Sequence, residues 1–213
     1  MACKVLVVCG SPVVASAKLL RRLAGECDHV VAVDRGLDAL LSAGLSCDTY
    51  VGDADTVSNV GRALVDAATD FDVERHDPYK DYTDLALALD AVRRRWPNAE
   101  IYATCATGGR PDMALSVLGL LVGYRDAPVW IVEDSVTARI LHEQETWTIE
   151  GAENSTFSIV AVAPDTEVSE RGLEWELDHA PLGLLADTGI SNVVRTSASI
   201  EVHRGTAIAY LYL

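Results

Sequence analysis

Histidine, phenylalanine and methionine are scarce in this chain, at five, two and two of 213 residues, and no apolar run approaches the length of a membrane span. The histidines show no metal-ligand spacing, so a histidine-held metal has no support, and His76 reads as a solvated loop residue. Cys3, Cys9, Cys27, Cys47 and Cys105 are odd in number and form no Cys-x-x-Cys pair, which points to reduced thiols rather than a disulfide framework. The first apolar run, Val5–Cys9, is too short for a signal peptide, and a cytoplasmic protein is the expectation. Basic residues are also few: 17 against 32 acidic ones give a formal charge of −15, which excludes nucleic acid or an anionic membrane as the main partner. A polyphosphate ligand is not excluded, because divalent metal ions bridge carboxylates to phosphates. Gly10-Ser11-Pro12 lacks the Gly-Lys-Ser/Thr of a Walker loop and the full Gly-x-Gly-x-x-Gly of a dinucleotide site.

What the chain does have, in its first part, is strands alternating with helices. Lys4–Cys9 is a β-branched apolar run, and Ser16–Ala24 carries Leu19, Leu20 and Leu23 at helical spacing. The alternation continues with strand His29–Val33, helix Gly36–Ala43, strand Thr49–Val51, helix Val60–Ala68 and strand Phe71–Glu74. Helix Thr83–Arg95, strand Glu100–Thr104, helix Asp112–Val122 and strand Val129–Val132 complete the series. Short, wholly apolar strands imply burial on both faces, the mark of a mostly parallel, Rossmann-like sheet with helices on both faces.

From Val136 onward the texture changes to short strand candidates separated by Gly, Pro, Asn and Asp turns: Thr137–Leu141, Trp147–Ile149, Thr156–Val162, Leu173–Leu177, Ser199–Val202 and Ala207–Tyr210. The expectation is therefore an α/β domain over residues 1–134 and a smaller all-β sandwich domain over 135–213.

Three acidic motifs fall between a strand and a helix: Gly52-Asp53-Ala54-Asp55-Thr56, Lys80-Asp81-Tyr82-Thr83-Asp84 and Gly108-Gly109-Arg110-Pro111-Asp112. Loops leaving the carboxyl ends of parallel strands gather at one edge, so the three can share a crevice, with Asp34 after an earlier strand as a further contributor. Asp53 and Asp55 suit a hard cation such as magnesium, although either can equally shape a turn or cap a helix. Thr83 is an N-cap candidate with Asp84 in the first turn, which leaves Lys80 and Asp81 free for phosphate and metal. Arg110 can clamp phosphate oxygens in bidentate fashion, with Asp112 holding the guanidinium or a substrate group; a plain surface pair is the alternative. Together the motifs suggest metal-assisted phosphate chemistry.

The order of these motifs, with Asp34-Arg35-Gly36 and Cys47-Asp48 ahead of them, resembles the thiamin pyrophosphokinase family. Thr156-Phe157-Ser158-Ile159, Gly172-Leu173-Glu174-Trp175-Glu176-Leu177 and Gly189-Ile190-Ser191-Asn192 extend the resemblance into the β-rich part. It implies an enzyme that moves the pyrophosphoryl group of ATP to the hydroxyethyl group of thiamin, giving thiamin diphosphate and AMP, in a homodimer with active sites between subunits. It further implies that Asp53, Asp55 and Asp84 hold magnesium, that Asp34, Lys80, Asp81, Thr83, Arg110 and Asp112 bind ATP, and that Trp175, Ser191 and Asn192 bind thiamin. The catalytic set on this reading is Asp53, Asp55, Asp81, Asp84, Arg110 and Asp112. The chain departs from the family's pattern at Arg35, Ala54, Thr56, Met113 and Val193. Those departures leave two other readings open, a pyrophosphokinase acting on another acceptor such as a pterin-like alcohol, and a noncatalytic thiamin or nucleotide sensor.

Overall fold

A computed structural model describes residues 2–67 and 70–213. The chain has an α/β fold with a carboxyl-terminal β domain, and it divides into two compact units. The first runs to Ala127 and takes in Val132–Asp134; the second comprises Pro128–Ile131 and Ser135–Leu213.

In the first unit, β1 (Lys4–Val8), β2 (His29–Val33), β3 (Thr49–Gly52), β4 (Asp72–Arg75) and β5 (Glu100–Thr104) are joined by parallel pairings in the order β5-β1-β2-β3-β4. Val5, Leu6, Val7 and Val8 are wholly buried, as a strand covered on both faces requires. The chain steps outward from β1 to β4 and then returns to β5 on the other side of β1. Strand order therefore reverses between β1 and β5, where open α/β sheets part their loops to form a crevice.

Helices α1 (Ala17–Glu26), α2 (Gly36–Ser42), α3 (Asn59–Ala67), α4 (Asp84–Arg95) and α5 (Pro111–Val122) alternate with these strands. The end of the Val60–Ala68 helix expected from sequence, Ala68, lies outside the described residues. Ser16 caps α1 by accepting from the Leu19 N–H, and Thr83 caps α4 by accepting from that of Ala86. In α4, Asp84 in the first turn and Arg93, Arg94 and Arg95 in the last complement the helix dipole. α2 starts so close to β1 that a Cβ on Gly36 would fall 2.0 Å from the Val8 carbonyl oxygen, so only glycine fits there.

Strand β6 (Val129–Glu133) is divided between the units. The second unit adds β7 (Val136–His142), β8 (Thr146–Ile149), β9 (Thr156–Ala161), β10 (Thr166–Leu173), β11 (Leu177–Leu182), β12 (Asn192–Arg204) and β13 (Thr206–Tyr212). β13 pairs antiparallel with β7 and β9, and β10 with β11 and β12. β12 joins the two groups: Asn192 and Val193 pair with β9, and its later residues pair with β8 and β10. Trp147, Phe157, Ile159, Val168, Ile200 and Val202 lie in the core beneath them.

One strand assignment fails. Leu173–Leu177 is not one strand: Leu173 ends β10, Leu177 begins β11, and Glu174, Trp175 and Glu176 form the turn between them. Gly172 adopts φ +77°, and a Cβ on it would meet the Ser197 carbonyl oxygen at 2.2 Å. The chain bends there, and the Gly172 N–H donates to Glu176 Oε1 at 2.8 Å. β10 itself escapes a pattern search because its segment is largely polar, and β11 carries Pro181, which only an edge strand tolerates. Among the described residues no helix is long and apolar enough to cross a membrane.

Candidate active site

Parallel register decides which acidic loops meet. Val33 pairs with Val51, so Asp34 leaves β2 beside Gly52, where β3 ends. A Cβ on Gly52 would sit 3.1 Å from Asp34, and its absence lets the two loops touch. Ala54 takes the left-handed conformation at φ +63° although it is not glycine, a cost of about 1–2 kcal/mol. The turn it makes brings the Asp55 N–H within 3.0 Å of Asp53 Oδ1. Tyr50, fully buried in β3, donates its hydroxyl to Asp34 Oδ1 at 3.2 Å, and Thr56 Oγ1 donates to Asp34 Oδ2. One carboxylate oxygen from each of Asp34, Asp53 and Asp55 lies within 4.8 Å of the others. Three hard oxygen donors so grouped fit a small divalent cation.

Lys80 answers this charge. Its Nζ lies 2.8 Å from Asp53 Oδ2 and 3.0 Å from Asp84 Oδ1. Burial works against the charge on Asp53, but the Lys80 ammonium and the Asp55 N–H outweigh it and hold that carboxyl below its usual range. Burial raises Asp55, and the Asp53 charge raises it further. Asp84 is also raised, because burial and the neighbouring Asp53 and Asp34 exceed the pull of Lys80. Burial lowers Lys80, yet its hydrogen bonds to Asp53 and Asp84 leave it above the usual lysine value.

These groups border a cleft of about 460 Å³ lined by Asp34, Asp53, Asp55, Thr83, Asp84 and Arg110, together with the loops after β1 and β5. Such a volume accommodates a small organic ligand. Arg110 grips Asp112 through both carboxylate oxygens, at 3.1 and 2.5 Å, and the pair is solvent-exposed. Its guanidinium is thus presented to solvent at the cleft with its fork engaged by Asp112. Asp81 is exposed, and Lys80, Asp81 and Asp112 do not line the cleft, Lys80 being joined to it through Asp53 and Asp84. The structure groups Asp34 with Asp53 and Asp55, and links Asp84 to Asp53 through Lys80.

In the second unit, Trp175 stands on the β10–β11 turn with 64% of its surface exposed. Buried Asn192 holds that turn from both sides of the tryptophan backbone: Oδ1 accepts from the Trp175 N–H at 3.1 Å, and Nδ2 donates to its carbonyl at 2.7 Å. Ser191, at φ +61°, donates its N–H to Ser158 Oγ at 3.0 Å. Behind Asn192 lies Glu170, wholly buried, with Oε2 3.4 Å from Nδ2. Burial pushes the Glu170 carboxyl up to about 7.

Sequence reasoning missed Tyr50, Glu170 and Glu133, the last accepting from the N–H groups of Cys105, Ala106 and Thr107. A tyrosine in a buried strand needs a hydroxyl partner, which was the available sign for Tyr50. The partners of the two glutamates come from other elements, and no local motif marks them.

An α/β unit that gathers carboxylates, a lysine and an arginine at one cleft has the equipment of a phosphate-handling enzyme. Residues 20–132 match the model for the thiamin pyrophosphokinase catalytic domain, and residues 141–207 that for the thiamin pyrophosphokinase vitamin B1 binding domain. The chain belongs to the thiamin pyrophosphokinase family. It is 28% identical over 189 residues to thiamine pyrophosphokinase of Bacillus subtilis, covering 84% of each chain. Among solved structures, thiamin pyrophosphokinase from Geobacillus thermodenitrificans superposes with a TM-score of 0.79 at 27% identity, over 100% of this chain and 98% of that one. Thiamin pyrophosphokinase from Candida albicans shares the fold, with a TM-score of 0.83 at 14% identity, over 100% of this chain and 89% of that one.

Proposed function

We propose that this chain is an ATP-dependent pyrophosphotransferase that moves the pyrophosphoryl group of ATP to the hydroxyethyl group of thiamin, giving thiamin diphosphate and AMP. The observation that carries this reading is the convergence of Asp34, Asp53, Asp55 and Asp84 from separate loops at the cleft, with Lys80 paired to Asp53 and Asp84, within residues matched by the family's catalytic model. The first unit, with a Rossmann-like sheet covered by helices on both faces, takes ATP and magnesium. The second, a sandwich, takes thiamin at Trp175, Ser191 and Asn192. We also infer a homodimer with active sites at the subunit interface, acting in the cytoplasm. The free thiols of all five cysteines agree with that compartment.

Magnesium would be held by Asp53, Asp55 and Asp84, with Asp34, whose carboxylate oxygen lies within 4.8 Å of those of Asp53 and Asp55, as a fourth donor; the donor set is entirely oxygen, and the ion would offset negative charge on the β- and γ-phosphates. The acceptor hydroxyl oxygen attacks the β-phosphorus, the bond from that phosphorus to the α-phosphate oxygen breaks, and AMP leaves with the electron pair. The hydroxyl proton passes to a base; orienting the hydroxyl is the role the resemblance implies for Asp81 or Asp112, neither of which lines the cleft. Lys80 and Arg110 supply fixed positive charge where the nonbridging and leaving oxygens gain negative charge. Thr83 presents the free N–H groups of the α4 N-terminus to a phosphate oxygen. Trp175 offers an exposed aromatic face to a flat cationic ring, an attraction of about 0.5–2 kcal/mol.

Incubation with ATP, magnesium and thiamin should give AMP in one-to-one ratio with thiamin diphosphate. Release of ADP would overturn pyrophosphoryl transfer. Turnover with a pterin-like alcohol but not thiamin would reassign the acceptor, and binding without turnover would mark a sensor. Light scattering should give twice the chain mass of 22.9 kDa; a fully active monomer would refute the shared site.

A further inference from the structure

The loop between β5 and α5 makes an anion cradle and fills it from within. Cys105 is held at φ +50°, in the left-handed region, and the N–H groups of Cys105, Ala106 and Thr107 turn to one side. A nest of successive N–H donors at the carboxyl end of a strand is where α/β proteins commonly seat phosphate. Here the occupant is the Glu133 carboxylate, from the end of β6. Oε2 accepts from Cys105 N at 3.2 Å and Thr104 Oγ1 at 3.4 Å; Oε1 accepts from Ala106 N at 2.9 Å, Thr107 N at 3.3 Å and Thr107 Oγ1 at 3.4 Å. Burial raises the carboxyl, and the three N–H groups pull it back toward the charged form.

The neighbouring contacts extend the brace across the cleft mouth. Ser11, after β1, donates Oγ to the Thr107 carbonyl at 2.5 Å, and its N–H to the Cys105 carbonyl at 3.1 Å. Asp134 accepts from Ser16 N and Oγ at 2.7 and 2.5 Å. Glu133 and Asp134 thus tie together the loops after β1 and β5, which line the cleft at the reversal of strand order. Arg110 lies three residues beyond Thr107, across Gly108 and Gly109, both at positive φ, which have no side chains of their own to fix it.

We propose that Glu133 is a positioning residue for nucleotide binding: its carboxylate takes the place of a bound anion in the β5–α5 cradle and fixes the loop that presents Arg110. This rests on the reading of the cleft as an ATP site. With the cradle filled, polyphosphate is directed to Lys80, Arg110 and the α4 N-terminus.

The test is steady-state kinetics and calorimetry with MgATP on Glu133→Gln and Glu133→Ala, with folding checked by circular dichroism. Glu133→Ala should raise KM for MgATP about tenfold, the equivalent of one hydrogen bond to a charged group, and leave KM for thiamin within about twofold. Glu133→Gln keeps the shape and one acceptor oxygen, and should fall between wild type and Glu133→Ala; it carries the test alone if the alanine variant does not fold. Formate should lower the raised KM of Glu133→Ala by refilling the cradle. Unchanged KM for MgATP in both variants, or a parallel rise for thiamin, overturns the proposal while wild-type turnover leaves the functional reading intact. A wild type that neither binds nor turns over MgATP sinks the ATP reading, and this inference with it.

Discussion

Replacing Lys80 with methionine isolates the charge that holds the acidic cluster together. Lys80 Nζ stands 2.8 Å from Asp53 and 3.0 Å from Asp84, and the three side chains are 14%, 7% and 23% exposed. At an effective dielectric of about 20, each contact is worth about 6 kcal/mol before desolvation. Burying the charges returns most of that gain, and breaking partly buried pairs of this kind costs about 3 kcal/mol net. In a chain of this length the loss lowers the unfolding midpoint by about 6–12 °C. The pH window follows from the two shifts. Lys80 is raised above 10.5, so its contribution is present below that value and lost as pH rises through the folded value. Asp53 is lowered below 3.8, so its contribution is present above that value and lost as pH falls through the folded value. The penalty of Lys80→Met should therefore be full near neutral pH and shrink in acid. Magnesium should also reduce it, and the variant should bind magnesium about tenfold more tightly without nucleotide, because the ammonium no longer competes for the carboxylates. Hydrogen exchange at β3 and α4 amides reads the loss locally, since the two units need not unfold together. Equal destabilisation at all pH values, with or without magnesium, would refute the electrostatic account and leave only packing.

Glu170, raised from 4.5 to about 7, favours its proton in the folded state, so its contribution to stability is fully present below pH 4.5 and about 3 kcal/mol is lost as pH rises through 7; Glu170→Gln should remove that component from the profile in pH-dependent urea titrations, and superimposable curves would refute the assignment. Gly36→Ala should cost about 3 kcal/mol or more, or prevent folding, because the new Cβ meets the Val8 carbonyl oxygen at 2.0 Å; a near-neutral unfolding midpoint would contradict the close approach. Asp34→Asn should weaken magnesium binding at least about tenfold by calorimetry, whereas Asp81→Asn, at an exposed position outside the cluster, should leave it within about twofold; the reverse order would remove Asp34 from the metal set.

The inner first-unit strands were legible because burial on both faces writes itself as uninterrupted apolar sequence, as in Val5–Val8, a run that the edge strand β4 lacks. The second unit was harder because each strand shows the core only every other residue. In β12, Val194, Ala198, Ile200 and Val202 are buried on one face, but exposed Thr196 breaks the series, and only Ser199–Val202 stood out. Asp53, Lys80 and Asp84 announced themselves by sitting after strands and before a helix. That Asp34 completes a cluster with Asp53 and Asp55 depends on the β2–β3 register, which no local pattern encodes. Thr56 shows the same limit: only the structure shows its hydroxyl donating to Asp34.

Two internal charges stand where ligand charges belong, and their surroundings assign them opposite fates. Lys80 places an ammonium among carboxylates suited to a metal ion, but it does so from a long, flexible side chain with two carboxylate contacts and an edge open to solvent. A divalent ion would carry twice its charge and take several oxygens at once, so on the ATP-magnesium reading Lys80 would yield its place and turn toward phosphate. Glu133 places a carboxylate in a cradle suited to phosphate, but its oxygens accept from three backbone N–H groups and two hydroxyls. Removing it would leave those donors unpaired around a non-glycine residue in left-handed conformation, a cost no single phosphate oxygen offsets. On the proposed function the exchangeable cation therefore belongs to the binding step and the fixed anion to the scaffold. Variants at Lys80 should change metal affinity, and variants at Glu133 should change nucleotide affinity with metal affinity unaltered.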